Sequence, residues 1–275
     1  MAIITISRQK GSLGTLIGEV LKKELGYTYF DYAVLEEQFG KKYGIPKQTL
    51  ARYDEKRPHV WDIFSSSEKE KYLHFLKSCV YEFAQNGNCI IVGRGGQVLF
   101  QDIPGVLRVS VVAPLQMRIQ RIKERFNYDD HLAEQTVRQS DQNRAGFHRF
   151  FFHVDWEDCD YYDLIINTRA LTVETGVQLI KEALHTFGAV AKEKETEKRI
   201  QDICLGQQVM TRIAYDEKIP LHYIQVTAVG GVITLKGSVS TADNIKRIET
   251  AARKVPGVKD VVNELYVIPL THSVS

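Results

Sequence analysis

Cysteine is scarce: the four residues at 79, 89, 159 and 204 are too dispersed for a metal cluster and lack the paired spacing of a zinc or redox motif, which leaves them as core or bystander thiols. The eight histidines never fall into a His-Glu-x-x-His spacing, so no metal-ligating residue is assigned. No apolar run approaches the length needed to cross a bilayer, and the chain enters a strand at once without a basic-then-apolar leader. A reducing cytoplasm is therefore the expected setting. Net charge is also missing: a formal +2 leaves no excess for wholesale nucleic-acid binding, so any basic function is local and no nucleic-acid partner is expected.

At 275 residues the chain exceeds the usual size of one domain. It opens on β-branched Ile3, Ile4 and Ile6, as expected of a buried parallel strand. A basic, glycine-bearing turn follows, and Leu16, Ile17, Val20, Leu21 and Leu25 then recur at helical spacing up to the stop at Gly26. Strand, turn and helix together read as a phosphate loop, in which backbone N–H groups and the positive end of a helix converge on an anion. The strict Walker pattern is not met. With Gly11 on its central glycine, Gly14 stands where the lysine belongs, and Arg8, Lys10 or arginines further along are the cations left to compensate. An ordinary strand-to-helix turn is the alternative.

Further strands are expected at 27–31, 88–92, 107–112 and 161–167, alternating with helices. Asp31 closes the second strand, where open α/β sheets bind ligands and where an aspartate equally serves as a helix N-cap. Residues 43–67 look irregular, and their basic group Arg52, Lys56 and Arg57 reads as an insertion over an acceptor site or as a solvated loop. Ser67 to Glu70 reads as a capping box for the next helix. Arg94, in a glycine-rich turn after the third strand, suits a phosphate through its fork of donors. Arg118, Arg121 and Arg125 share one side of a helix that begins at Pro114. Arg138, Asp141, Arg144, His148 and Arg149 crowd a second helical stretch: Arg144 and Arg149 could neutralise a transferring phosphoryl group while Asp141 orients one of them or the acceptor. A Thr172 cap opens the closing helix, 172–184.

A mixed-charge run at 191–198 marks a boundary near 190. Beyond it the pattern changes to helix, strand, Gly230-Gly231 hairpin, strand, helix, strand, and it carries no nucleophile–base constellation. The expectation is an α/β parallel-sheet domain at 1–190 with a small α+β domain at 197–270; the resemblance that follows makes the first a P-loop kinase-like domain.

Several segments together resemble the cytidylate kinase-like branch of the nucleoside monophosphate kinases: Ile4 to Gln9 with Gly11-Ser12, Tyr29-Phe30-Asp31, Ile91 to Gly95, Ala113 to Leu115 with Arg118 and Arg121, Asp141 to Ala145, and Asp155-Trp156 with Tyr162-Asp163-Leu164. The resemblance implies transfer of the terminal phosphoryl of ATP, with Mg2+, to CMP or a similar acceptor. Arg8, Lys10, Gly11, Ser12, Gly14 and Thr15 would then cradle the donor phosphates; Asp31, Arg94 and Arg118 would border the acceptor; Arg144, Arg149 and Asp141 would serve catalysis from a lid. That branch usually reads Gly-Ser-Gly-Gly-Arg in its loop, whereas this chain reads Gly11-Ser12-Leu13-Gly14-Thr15. An inactive nucleotide-binding sensor is the implied alternative. Residues 197–268 resemble the BON domain through Gly230 to Gly237 and Val255 to Val261. That implies a small-molecule or phospholipid ligand, a regulatory role, self-association, or an adaptor at a membrane surface.

Overall fold

The computed structural model describes residues 1–52, 65–186, 192–221 and 223–268, and the chain divides into two compact units, Met1–Thr196 and Glu197–Ser275. The first unit is built on five parallel strands, β1 (Ile3–Arg8), β2 (Thr28–Phe30), β3 (Cys89–Val92), β4 (Val106–Val112) and β5 (Leu164–Asn167), in the order β2-β3-β1-β4-β5. The expected parallel-sheet domain is therefore present, with all five strands where the apolar runs lie. Every residue of β1 and β3 is buried, as a central strand covered on both faces requires. Because the strands are parallel, the turns after all five leave from one edge, and register aligns that edge: Phe30 lies opposite Ile91, Ile6 opposite Val92, and Arg8 opposite Val111. Open α/β sheets bind ligands at this carboxyl edge.

Helix α1 (Gly14–Leu25) covers one face with Ile17 and Leu21, one turn apart and fully buried, and ends on Gly26 in the left-handed conformation. After β2 come α2 (Tyr32–Val34), a π-helical turn over Leu35–Gly40, α3 (Lys47–Arg52), α4 (Ser66–Gln85) and α5 (Gly96–Leu99). Next are α6 (Leu115–Phe126), α7 (Asp130–Phe152), α8 (Val173–Thr186) and α9 (Glu193–Thr211). Helix α8 joins α1 on the sheet through Val177, Ile180 and Leu184, and Thr172 accepts from the Thr175 N–H as the expected cap. Aromatic pairs draw α4 onto β2 (Phe83–Phe30, 5.0 Å) and α7 onto α4 (Phe151–Tyr72, 5.0 Å).

Two local expectations need correction. The capping box of α4 is Ser65 with Glu68, not Ser67 with Glu70: the Ser65 hydroxyl accepts from the Glu68 N–H while the Glu68 carboxylate accepts from the Ser65 N–H. Both serines have a glutamate three residues on, so spacing alone could not choose between them. The stretch 43–67 is not wholly irregular, because Pro46 starts α3: its carbonyl accepts from Thr49 and Leu50. Lys56 and Arg57 lie outside the described residues. Among the described residues no helix is long and apolar enough to cross a membrane.

The second unit begins within α9 and carries β6 (Ile224–Val229), β7 (Val232–Val239), α10 (Ala242–Arg253) and β8 (Asp260–Val267). β6 and β7 form an antiparallel hairpin, and β8 adds parallel to β7, giving the small α+β fold expected. Gly230 and Gly231 make the two-residue turn at φ +60° and +92°, which Asp202 secures by accepting from the Gly230 N–H at 2.7 Å. Ile213, Ile233, Leu235 and Ile248 are fully buried beneath the sheet.

Candidate functional site

The turn joining β1 to α1 is held from outside by three consecutive carbonyls. Lys10 O accepts from Arg118 Nη1 (3.3 Å), Gly11 O from Arg121 Nη1 (3.2 Å) and Ser12 O from Thr168 Oγ1 (3.0 Å). Gly11 and Leu13 both take positive φ, +81° and +69°. For Leu13 this costs about 1–2 kcal/mol relative to the right-handed conformation. With the carbonyls turned outward, the N–H groups of Gly11, Leu13, Gly14 and Thr15 have no hydrogen-bond partner among the described residues. Unpaired donors at the start of a twelve-residue helix make an anion-binding cradle. Gly11 is needed for close approach, since a Cβ there would stand 2.8 Å from the Arg118 carbonyl oxygen.

Behind the turn, Arg118 is almost wholly buried and committed: Nε donates to Ala113 O at 2.9 Å, and Nη1 pairs with Asp141. Asp141, on α7, also accepts from the Lys10 N–H at 3.2 Å and lies 3.8 Å from Arg144 Nη1. One carboxylate thus ties the turn, α6 and α7 together. Arg144 is buried, donates to Ser140 Oγ at 2.9 Å and faces Trp156 at 6.0 Å, and the Trp156 indole N–H donates to Ser7 Oγ of β1 at 2.7 Å. The Arg121 guanidinium has its pKa lowered by desolvation; it borders an open cavity of about 610 Å³ lined by Pro114, Gln116, Met117, Gln120 and Arg169.

On the neighbouring edge, after β2 and β3, Asp31 caps α2 by accepting from the Val34 N–H at 3.1 Å. Arg94 takes φ +59° in the glycine turn and is 1 % exposed, its guanidinium 4.9 Å from the Tyr32 ring and 5.9 Å from Phe147. A cation buried between aromatic faces is held by their quadrupoles. Tyr29, on β2, has its hydroxyl pKa pushed up to about 12 by burial, against the lowering pull of the Arg8 charge.

Of the residues singled out from the sequence, Arg8, Lys10, Gly11, Ser12, Gly14, Arg118, Asp141 and Arg144 come together around this turn. Arg118, expected to border an acceptor, holds Ala113 O and Lys10 O behind the turn after β1. The Ser12 hydroxyl is turned inward, toward Gln9 O and Val111 O, and is fully buried. The Lys10 ammonium lies 5.4 Å over the Phe126 ring, while Thr15 is exposed at the helix start. Arg149 stands exposed: five residues on from Arg144, it is turned by about 140° around α7. Thr168 was not anticipated. It is fully buried, and besides donating to Ser12 O it accepts from Arg121 at 3.0 Å; a threonine just past the last strand, on the ligand-binding edge, is the signal that could have found it.

Residues 3–170 match the model of the cytidylate kinase-like family, and residues 205–269 match that of the BON domain. The cytidylate kinase of Staphylothermus marinus is 26 % identical over 189 residues, 68 % of this chain and 98 % of its own length. That of Methanocaldococcus jannaschii is 22 % identical over 184 residues, 66 % of this chain and 97 % of its own. The crystal structure of an uncharacterized protein from Eubacterium ventriosum superposes with a TM-score of 0.52 at 23 % identity, covering 67 % of this chain and 98 % of that one.

Proposed function

Because the chain belongs to the cytidylate kinase-like family, we propose that its first domain, residues 1–190, is a cytoplasmic phosphotransferase that carries the terminal phosphoryl of ATP to CMP or a similar nucleoside monophosphate. The observation that carries this reading is the cradle itself: four N–H groups without a partner among the described residues, on a turn whose three carbonyls are held by Arg118, Arg121 and Thr168, at the carboxyl edge of a parallel sheet. In the reaction a phosphate oxygen of the acceptor forms a bond to the γ-phosphorus, the bond from that phosphorus to the β,γ-bridging oxygen breaks, and ADP leaves with the electron pair. No covalent enzyme intermediate is needed; the protein positions the two nucleotides and neutralises charge. Arg144 approaches the transferred group from α7 with Asp141 fixing it, and Asp31 and Arg94 border the acceptor. The cavity beside Arg121 seats the donor's base.

Among the described residues no group of three or more His, Cys, Asp or Glu side chains could hold a metal ion. Magnesium would be carried in by the nucleotide, keeping mostly phosphate and water ligands. The exposed Thr15 hydroxyl would be the protein's contribution, and the ion would neutralise the charge of the phosphate oxygens. The second domain, residues 197–270, is read as a ligand-binding regulatory module. The absence of a lysine at position 14 favours a second reading, a nucleotide-binding sensor without turnover.

A coupled assay with ATP, magnesium and a panel of nucleoside monophosphates tests both. Turnover with one acceptor above the rest is expected. No turnover with any acceptor, alongside tight nucleotide binding by calorimetry, would leave the sensor.

A further inference from the structure

Laid on the Walker spacing Gly-x-x-x-x-Gly-Lys-[Ser/Thr], the turn departs at three positions: Arg8 and Leu13 stand at the two glycines and Gly14 at the lysine, while Thr15 keeps the hydroxyl. Two of these departures meet in space. A Cβ built on Gly14 would stand 2.6 Å from Arg8 Cβ and 3.3 Å from Arg8 Cγ, with Val111 Cβ at 3.0 Å. No side chain fits at position 14 while Arg8 is present, and the stem of Arg8 fills the place where a lysine would begin. Helical Cα–Cβ bonds tilt toward the N-terminus, so that place adjoins the unpaired N–H groups of the first turn. Arg8 is 8 % exposed. Its charge acts on the Tyr29 hydroxyl, which itself lies 3.4 Å from where a Cβ of Gly18 would be, one turn along the same glycine-bare face of α1.

Among the other nearby cations, Arg144, read above as meeting the transferred group, donates to Ser140 Oγ and lies 3.8 Å from Asp141. Arg118 and Arg121 hold carbonyls behind the turn, Lys10 lies over Phe126, and Arg149 is exposed on another face of α7. The geometry points to Arg8 as the cation that contacts the donor phosphates, supplied from the last residue of β1 in exchange for the lysine that α1 lacks: residues 8 and 14 have traded charge for bareness. This inference rests on the phosphoryl-transfer reading above and names the side chain that restores its missing charge.

The experiment compares the full-length wild type with Arg8→Met, Arg8→Lys and the exchange variant Arg8→Gly/Gly14→Lys, measuring ATP binding by calorimetry, kcat and KM by coupled assay, and folding by thermal melting. Arg8→Met keeps the apolar stem, so it should fold while kcat falls roughly 100-fold or more and ATP binds more weakly. Arg8→Lys and the exchange variant, which relieves the 2.6 Å overlap, should each recover at least about a tenth of wild-type kcat. Arg8→Met within about threefold of wild type in kcat and ATP affinity would overturn the inference while leaving the phosphotransferase reading intact. So would a folded Arg8→Lys as inactive as Arg8→Met. A wild type that binds no triphosphate would overturn both.

Discussion

Asp141 is the side chain whose loss should be felt in three elements at once. Asparagine at this position keeps an oxygen for the Lys10 N–H but removes the charge that faces Arg118 and Arg144. The side chains of Arg118 and Asp141 are 6 % and 18 % exposed, so Arg118 cannot turn to water for compensation. Removing one partner of a fully buried pair costs about 3–5 kcal/mol, whereas a hydrogen bond to a charged group is worth about 1.5–3 kcal/mol. Because Arg118 keeps Ala113 O and Lys10 O and Asp141 is partly solvated, the lower figure applies, and about 2 kcal/mol is expected. For a unit of this size that lowers Tm by about 4–8 °C. Both tryptophans, at 61 and 156, lie in the first unit's span of the sequence, so intrinsic fluorescence follows that unit alone during a urea or thermal melt. A double-mutant cycle with Arg118→Met should return a coupling of about 0.5–3 kcal/mol. Asp141→Asn within about 0.5 kcal/mol of wild type, or additive single effects, would refute the view that this carboxylate ties the turn to α6 and α7.

Thr168→Val keeps the shape of a fully buried side chain but strips Ser12 O of its donor and Arg121 of an acceptor. A loss of about 1–3 kcal/mol is expected, with weaker ATP binding by calorimetry; an unchanged melt and unchanged affinity would remove Thr168 from the support of the turn. Among the four cysteines only Cys159 is exposed, while burial pushes the Cys89 thiol up to about 12 and raises that of Cys79 as well. One thiol should therefore react quickly with a disulfide reagent at pH 8 and four after denaturation, and a second fast thiol would contradict the burial of Cys79, Cys89 and Cys204. Burial also pushes the hydroxyls of Tyr29 and Tyr162 up to about 12. Between about pH 10 and 12 the unfolded chain releases these protons while the folded chain keeps them, so stability should fall by about 1.4 kcal/mol per pH unit for each tyrosine. Tyr29→Phe should flatten that decline in alkaline urea melts, and an unaltered slope would show that Tyr29 ionises freely in the folded state.

Buried parallel strands announce themselves as short apolar runs, which is why 3–6, 88–92 and 107–112 could be placed from the sequence, and Gly230-Gly231 between two alternating segments is an equally local signal for the hairpin. The supports of the turn after β1 were less legible. Arg121 reaches Gly11 across 110 residues and Thr168 reaches Ser12 across 156, and neither contact can be foreseen without knowing that β4 and β5 follow β1 in the sheet. Arg149 is a contrasting case. Its angular distance from Arg144 follows from helical geometry alone, yet density of charge along the sequence had grouped the two. Asp31 carried two meanings in the sequence, and its cap to Val34 is the one the structure shows.

The turn after β1 shows why a motif and a site need not fail together. A motif fixes spacing along the chain, whereas a phosphate responds to where N–H groups and positive charge lie in space. By spacing, the chain lacks glycines at positions 8 and 13 and a lysine at position 14, and the first and last of these three defects look unrelated. In three dimensions positions 8 and 14 border one small volume, because Arg8 ends β1 beside the first residue of α1. Only one of them can carry a side chain, and either can bring a cation. The N–H cradle depends on neither: it is set by the outward carbonyls of Lys10, Gly11 and Ser12, held by residues the motif does not mention. Substitutions at Arg8 and Gly14 should therefore be strongly coupled to each other and nearly independent of those at Thr168, a pattern of interaction that position-by-position comparison with the Walker pattern cannot produce.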